Sequence, residues 1–136
     1  MESTVAERTV LVCDDTDAIR RLIRMNLEFE GFEVLEAGDG EEALALLDRG
    51  ARPGCITLDA AMPGRDGWGT IDAIRADPRL HGIPVVMVTA SVQEADRVQA
   101  KAAGFDAFVA KPFDPDELVV AVSRCAAAGR AAGARP

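Results

Sequence analysis

Short apolar runs alternate along the chain with longer segments in which apolar residues recur every three or four positions. The short runs are typical of strands buried on both sides, and the longer segments are typical of amphipathic helices. Strands are predicted at 10–13, 32–37, 55–58, 85–88 and 108–110. Because strand and helix alternate, we expect successive βαβ units with right-handed crossovers and one parallel sheet.

A helix is predicted after each strand. The first has an apolar stripe at Ile19, Leu22, Ile23 and Leu27. It is expected to end near Gly31, because glycine favours the position that follows a helix C-terminus. The other helices are predicted at about 41–48, 68–76 and 93–102, and from 115 onward. Asp114 is expected to cap the last of these, since proline is favoured at the first helical position.

Polar residues stand where four of the strands end. They are the pair Asp14-Asp15, Asp59, Thr89 and Lys111. The carboxyl ends of parallel strands lie along one edge of a sheet, so these side chains are expected to share a crevice. Two carboxylates about 4 Å apart repel by roughly 4 kcal/mol at an effective dielectric near 20, so the crevice needs a cation. Mg²⁺ together with Lys111 would supply it, and such a site suits the transfer of a phosphoryl group to a carboxylate.

The residues around these positions resemble the receiver domain of two-component response regulators, the CheY-like superfamily. The resemblance rests on the acidic pair, the segment 58–67, the triplet Val88-Thr89-Ala90 and the segment 103–113 with its Lys111-Pro112-Phe113. It covers about residues 8–127. It implies an α/β fold of the flavodoxin-like (βα)5 type, with helices on both faces of a five-stranded parallel sheet of order 2-1-3-4-5.

The resemblance also implies roles for the acidic residues. Asp59 would be the phosphoacceptor, a nucleophile that attacks the phosphorus of a phosphohistidine and becomes an aspartyl phosphate. Asp15 would bind Mg²⁺ directly and Asp14 would be an outer partner of the metal. Asp59 itself and the backbone carbonyl of Ala61 would complete the protein ligands.

Three further positions match parts of the family's switch. By resemblance, Lys111 pairs with the phosphoryl oxygens and the Thr89 hydroxyl donates to one of them after transfer. Phe108 matches an aromatic residue whose rotamer is coupled to that threonine. The bond between Lys111 and Pro112 matches one that is cis in the family, and X-Pro is the linkage at which cis costs only about 0.5 to 1 kcal/mol.

The implied protein is a stand-alone regulator with an N-terminal extension (1–8), a receiver domain (9–127) and a flexible tail (128–136). It would take its phosphoryl group from a sensor histidine kinase or a histidine phosphotransfer protein. It would signal to a downstream protein through the face formed by the fourth helix, the fifth strand and the fifth helix. Its only catalysis would be its own Mg²⁺-dependent phosphorylation and dephosphorylation, so it is not expected to be an enzyme.

Two other interpretations fit part of the sequence. Asp15-Thr16-Asp17 forms a D-x-D motif after a strand, as in small aspartyl-phosphate hydrolases of the haloacid dehalogenase type, but that interpretation leaves Asp59 unexplained. The chain could also be a receiver cut from a hybrid kinase. Turnover of a phosphate ester would favour the hydrolase, whereas stoichiometric labelling would favour a receiver.

The composition of the chain limits the classes of molecule that it is expected to bind. The net charge is -8, with 23 acidic against 15 basic residues, which argues against direct binding to nucleic acid. No apolar stretch is long enough for a membrane span, and the N-terminus has no hydrophobic signal core, so a cytoplasmic location is expected. The three cysteines are expected to be free thiols, as suits a reducing compartment.

Assembly is predicted to be weak. In the winged-helix transcription-factor subclass, receivers pair through salt bridges, and Arg97 and Glu117 fall at two of the matching positions. Ala107 and Ala121 stand where further acidic and basic partners are typical. Exposed ion pairs contribute only about 0 to 1 kcal/mol each, so we expect a monomer or a weak homodimer.

Overall fold

The computed structural model describes residues 8–62, 64, 66–90 and 94–128, with side chains from 97 onward in the last range. Its strands are β1 (Thr9–Cys13), β2 (Glu33–Ala37), β3 (Cys55–Leu58), β4 (Val85–Thr89) and β5 (Ala107–Ala110). Its helices are α1 (Asp17–Phe29), α2 (Gly40–Asp48), α3 (Gly67–Ala76), α4 (Glu94–Ala103) and α5 (Pro115–Ala128). The predicted elements are all present, with bounds that agree within a residue or so. The segment 1–7, Gln93 at the predicted start of the fourth helix, and the tail from 129 lie outside the described residues.

The strands form one parallel sheet of order β2-β1-β3-β4-β5, which confirms the expected fold. Almost every residue of β1, β3 and β4 is buried, because helices cover both faces and the strands must therefore be apolar throughout. The chain order reverses between β1 and β3. In an open α/β sheet, ligands bind at this switch point, beyond the carboxyl ends of the strands.

Each face of the sheet has its own apolar cluster. On one face α2, α3 and α4 contribute Ala43, Leu47, Ile71, Ile74 and Ala100. On the other face α1 and α5 contribute Ile23, Leu27, Leu118, Val122 and Ala126. The two clusters hold the strands in place from both sides, so the ends of the strands are fixed relative to one another.

The predicted stripe on α1 is wrong at Leu22, whose side chain is 46% exposed. Ile23 and Leu27, four residues apart, face the sheet and are buried. Leu22 instead continues along the outer side of the helix with Met25 and Phe29, which are 57% and 88% exposed. Positions three and four apart share a helix face, so α1 has an inner apolar stripe and a second, outward strip.

Helix ends are capped largely as expected. Asp114 accepts a hydrogen bond from the Asp116 amide at 2.9 Å, which agrees with the predicted cap of α5. Asp66 accepts one from the Gly69 amide at 2.9 Å at the start of α3. A side-chain oxygen in this position satisfies an amide that has no partner inside the helix.

None of the described helices is both long and apolar enough to cross a membrane. Cys13, Cys55 and Cys125 are free thiols, as expected from their odd number. Burial raises the pKa of the Cys13 thiol to about 12, so this thiol stays protonated at neutral pH.

Thr57 in β3 is a polar residue buried on the sheet face that α1 and α5 cover. It is 1% exposed and pairs in register with Val12 on one side and Val86 on the other. Among the described residues its hydroxyl has no hydrogen-bond partner. Thr70 in α3 is buried as well, but its hydroxyl donates to the Asp66 carbonyl at 2.7 Å. Thr57 and Thr70 are therefore two buried threonines that differ in whether the hydroxyl has a hydrogen-bond partner.

We expect Thr57→Val to raise the free energy of unfolding by about 1 kcal/mol, because it removes an unsatisfied hydroxyl and keeps the shape. Thr70→Val should lower it by about as much, since a made hydrogen bond is lost. Urea denaturation at constant m-value measures both. An equal loss of stability in the two variants would mean that the Thr57 hydroxyl does have a partner.

Candidate functional site

Four strand ends meet at one edge of the sheet. Asp14 and Asp15 follow β1, Asp59 follows β3, Thr89 is the last residue of β4 and Lys111 follows β5. The backbone joins the last two ends, since the Lys111 amide donates to the Thr89 carbonyl at 2.9 Å. The strand ends that the sequence singled out therefore lie at the carboxyl edge of the sheet, beside the switch point.

Lys111 lies between two of the carboxylates. Its Nζ is 2.8 Å from Asp14 Oδ2 and 2.9 Å from Asp59 Oδ2. The side chains of Lys111, Asp14 and Asp59 are 16%, 1% and 8% exposed, so all three charges are largely removed from water. Buried charges persist only where they are paired and hydrogen-bonded, and one ammonium here serves two carboxylates.

Asp15 brings a third carboxylate to this crevice. Ligand oxygens of Asp14, Asp15 and Asp59 lie within 4.8 Å of one another. Three carboxylates against one ammonium leave two net negative charges, which repel strongly at such distances. Asp15 is exposed, so the crevice opens to solvent on its side. Oxygen donors with excess negative charge and an open side are what a hard divalent cation requires.

The pKa values reflect this crowding. Burial raises the pKa of the Asp59 carboxyl, while hydrogen bonds from Lys111 and from the Ala61 amide act in the opposite direction. Burial would lower the pKa of Lys111, but its hydrogen bonds to Asp14 and Asp59 outweigh burial and raise it. Lys111 is therefore a permanent cation at neutral pH, and a further positive charge beside Asp59 would favour its ionised form.

Backbone contacts fix the loop that follows β3. The Asp59 amide donates to the Cys13 carbonyl at 3.1 Å, and Asp59 Oδ1 accepts from the Ala61 amide at 3.1 Å. At Gly67, the first residue of α3, a Cβ would lie 2.7 Å from Ala60 Cα and would also collide with the Asp59 carbonyl oxygen. Only glycine fits there, so α3 begins directly against the loop that carries Asp59.

The turn after β1 is held by contacts to the backbone and to the side chain of Asp14. Its amide donates to the Ala37 carbonyl at 3.1 Å, and its Oδ1 accepts from the Thr16 amide at 2.9 Å. Arg20, the fourth residue of α1, donates from Nη1 to the Asp14 carbonyl at 2.9 Å. Sequence reasoning missed Arg20. The only signal in the sequence was an arginine five residues after Asp15.

Phe108 shares a face of the sheet with Thr89. Thr89 pairs in register with Ala110, and Met87 pairs with Phe108, so all four side chains lie on the same face of the sheet. Phe108 is half-buried, and the guanidinium carbon of Arg97 lies 5.1 Å from its ring centroid, within cation–π range. The peptide bond between Lys111 and Pro112 is cis.

The D-x-D interpretation has no geometric support. The Asp17 side chain is 79% exposed, and its Oδ1 is 2.6 Å from Arg20 Nη2. The carboxylates that cluster are instead those of Asp14, Asp15 and Asp59. Asp59, which the hydrolase interpretation left unexplained, is central to the cluster.

Comparisons with known proteins identify the family of the chain. A family model described as the response regulator receiver domain matches residues 10–123. The transcriptional regulatory protein ResD of Bacillus subtilis is 43% identical over 118 residues, which are 85% of this chain and 47% of ResD. An uncharacterized 14.6 kDa protein of Leptolyngbya boryana is 40% identical over 116 residues, which are 85% of this chain and 88% of that protein.

The solved structure of the chemotaxis protein CheY4 of Vibrio cholerae superimposes with a TM-score of 0.81 at 32% identity, over 86% of this chain and 97% of that one. The chain spans about half the length of the transcriptional regulators that it matches. The family match runs from β1 into α5 and includes all four strand ends of the acidic crevice. The chain therefore belongs to the family of response regulator receiver domains.

Proposed function

We propose that this receiver domain accepts a phosphoryl group on Asp59 from a histidine kinase or a histidine phosphotransfer protein, and then signals by protein contact. The observation that carries the proposal is the pair of contacts from Lys111 Nζ to the carboxylates of Asp14 and Asp59. Phosphoryl transfer depends mainly on positioning and on neutralising negative charge, and a fixed ammonium beside a buried carboxylate supplies both.

The remaining negative charge fits Mg²⁺. In this proposal Asp15, Asp59 and the backbone carbonyl of Ala61 are direct ligands, and Asp14 is an outer partner. Bound Mg²⁺ would neutralise the oxygens of the carboxylates and of the phosphoryl group. The mutual distances of the carboxylate oxygens, within 4.8 Å, support one shared ion.

The chemistry of the protein's own residues follows from their positions. A carboxylate oxygen of Asp59 attacks phosphorus as the bond from phosphorus to the imidazole nitrogen breaks, and the histidine leaves with the electron pair of that bond. Lys111 stays beside the phosphoryl oxygens as counter-charge. The Thr89 hydroxyl donates to one of these oxygens once transfer is complete.

The donor protein must reach Asp59 through the open side of the crevice, which Asp15 borders. Helix α1 begins two residues after Asp15 and bears the outward strip formed by Leu22, Met25 and Phe29. Apolar side chains exposed next to a reaction site suit a protein surface that docks and leaves. We therefore place the donor against α1.

The response is proposed to reach the face formed by α4, β5 and α5. Movement of the Thr89 hydroxyl toward the phosphoryl group would free space on the sheet face that it shares with Phe108, so that ring could turn inward. Its contact with Arg97 carries the change to α4. Val98 on α4 and Val120 on α5 are 64% and 47% exposed, which suits a downstream protein target.

We further propose a stand-alone regulator. The match to the Leptolyngbya boryana protein covers 88% of that protein, so at least one relative is of similar length. A receiver fragment of a larger regulator or hybrid kinase is the alternative, and the genomic context decides between them. The receiver boundaries 9–127, a cytoplasmic location and a monomer or weak homodimer stay predictions of the sequence.

The nucleophile is tested by Asp59→Asn, which keeps the shape and removes the ionised oxygen. With a small phosphodonor and Mg²⁺, the wild-type protein should gain one phosphoryl group, and the variant should gain none while remaining folded. Intact mass and peptide mapping measure this. Asp72→Asn, an exposed acid of α3, is the matched control and should label normally. Undiminished labelling of folded Asp59→Asn would falsify the assignment.

The metal site is tested by comparing Asp15→Ala with Lys111→Ala. Asp15→Ala should weaken Mg²⁺ binding by at least about tenfold, because a ligand is lost. Lys111→Ala should leave the affinity unchanged or increase it, because a competing cation is removed. Titration calorimetry measures both, and phosphorylation should fall in both. Equal losses of Mg²⁺ affinity would contradict this division of roles.

The switch is tested by Thr89→Ala. The variant should still accept a phosphoryl group, but the response at Phe108 should be reduced because no hydroxyl moves toward the site. NMR shift changes of the Phe108 ring on phosphorylation are the measurement. Shift changes of the same size in wild type and variant would rule out the coupling.

A further inference from the structure

Two arginines of α1 share one partner but differ in what else they reach. Arg20 and Arg24 both pair with Glu36 on β2, at 3.1 and 2.6 Å. Arg20 also donates to the Asp14 carbonyl at 2.9 Å and to Asp17 Oδ1 at 2.6 Å. Arg24 has its second ion pair with Glu28, at 3.6 Å, on its own helix and away from the crevice.

The Asp14 carbonyl belongs to the peptide group that joins Asp14 to Asp15. The orientation of this group sets the direction in which the Asp15 side chain leaves the backbone. No hydrogen bond to the Asp15 carboxylate is found among the described residues, in contrast to Asp14, which is bound by Lys111 and by the Thr16 amide. Among the residues that the structure describes, only the backbone therefore places Asp15.

Arg20 is itself held firmly. Its side chain is 18% exposed, and its guanidinium has acceptors on three sides: a carbonyl, a carboxylate on its own helix and a carboxylate on the neighbouring strand. A planar guanidinium presents its donors in a fixed fork, so three bonds determine its position. The hydrogen bond with Asp17 raises the pKa of Arg20, so it is always charged.

We propose that Arg20 is a positioning residue for the divalent-cation site: by holding the Asp14–Asp15 peptide group with Nη1, it directs the Asp15 carboxylate into the crevice. The inference rests on the proposed function, because it concerns the ion of the same site. The positioning role belongs to Arg20 because only Arg20 of these two arginines contacts the Asp14 carbonyl.

If Arg20 acted only through its charge, its removal would change the Mg²⁺ affinity in the direction opposite to that expected from a loss of positioning. Removing a positive charge near an acidic site strengthens cation binding, because repulsion falls. Loss of positioning weakens it, and removal of groups that orient metal ligands typically costs about 10- to 100-fold in affinity. Arg20→Gln should therefore weaken Mg²⁺ binding by about tenfold. Arg24→Gln, the matched control, should leave it unchanged or slightly increase it.

The experiment is a calorimetric titration of the full chain with Mg²⁺ alone, at fixed ionic strength, for wild type and both variants. Thermal unfolding confirms that each is folded. Arg20→Lys is the second variant, since it keeps the charge but cannot span three acceptors, and it should also bind more weakly. In an Asp15→Ala background, Arg20→Gln should not weaken Mg²⁺ binding further, because the ligand that Arg20 positions is absent, and only the small gain from removing a positive charge should remain.

The outcomes separate the two proposals. Wild-type protein that binds no Mg²⁺ would overturn the metal site and the inference with it. Wild-type binding with equal affinities for Arg20→Gln and Arg24→Gln would overturn the inference alone. An undiminished effect of Arg20→Gln in the Asp15→Ala background would also overturn it, because the loss would then not pass through Asp15.

Discussion

The structure depends on one electrostatic constraint: the carboxylates at the switch point of a parallel sheet lie too close together to be stable without positive charge. Strand ends fixed from both faces by packed helices cannot separate to relieve the repulsion. Lys111 relieves part of it by bonding Asp14 and Asp59 together. The rest is left as an attraction for a cation, so the geometry that costs stability also favours the proposed metal site.

This arrangement explains why polar contacts gather at one end of the sheet while the middle is apolar. Apart from Thr9, Thr57 and Thr89, β1, β3 and β4 consist wholly of Val, Leu, Ile, Cys and Met, and of these threonines only Thr57 lies within a strand and not at its end. Rigid strands hold the charged groups at set distances, and the exposed carboxylate of Asp15 completes the crevice. A loosely packed sheet would let the carboxylates move apart and lose affinity for a small ion.

Most of the fold and the candidate site were predictable because the signals are local. An apolar run marks a strand, and the residue after it marks the strand's carboxyl end, so Asp59 and Lys111 could be assigned to one edge before any contact was known. The exposure of Leu22 was not predictable, since two helix faces fit the same spacing. Arg20 was missed because its role depends on Glu36, sixteen positions away on β2. The exposure of Leu22 and the contacts of Arg20 both depend on how helices and strands pack against one another.

The close approach of Gly67 to Asp59 and Ala60 leaves one wall of the crevice without clearance. The start of α3 touches the backbone of Asp59, the proposed phosphoacceptor, so that loop cannot shift without moving the helix out of its packed position. Displacement is cheaper at the opposite wall, where Thr89 ends its strand and Phe108 is only half-buried. In the proposed switch, the signal therefore travels towards Thr89 and Phe108, because the wall at Gly67 has no space even for a methyl group.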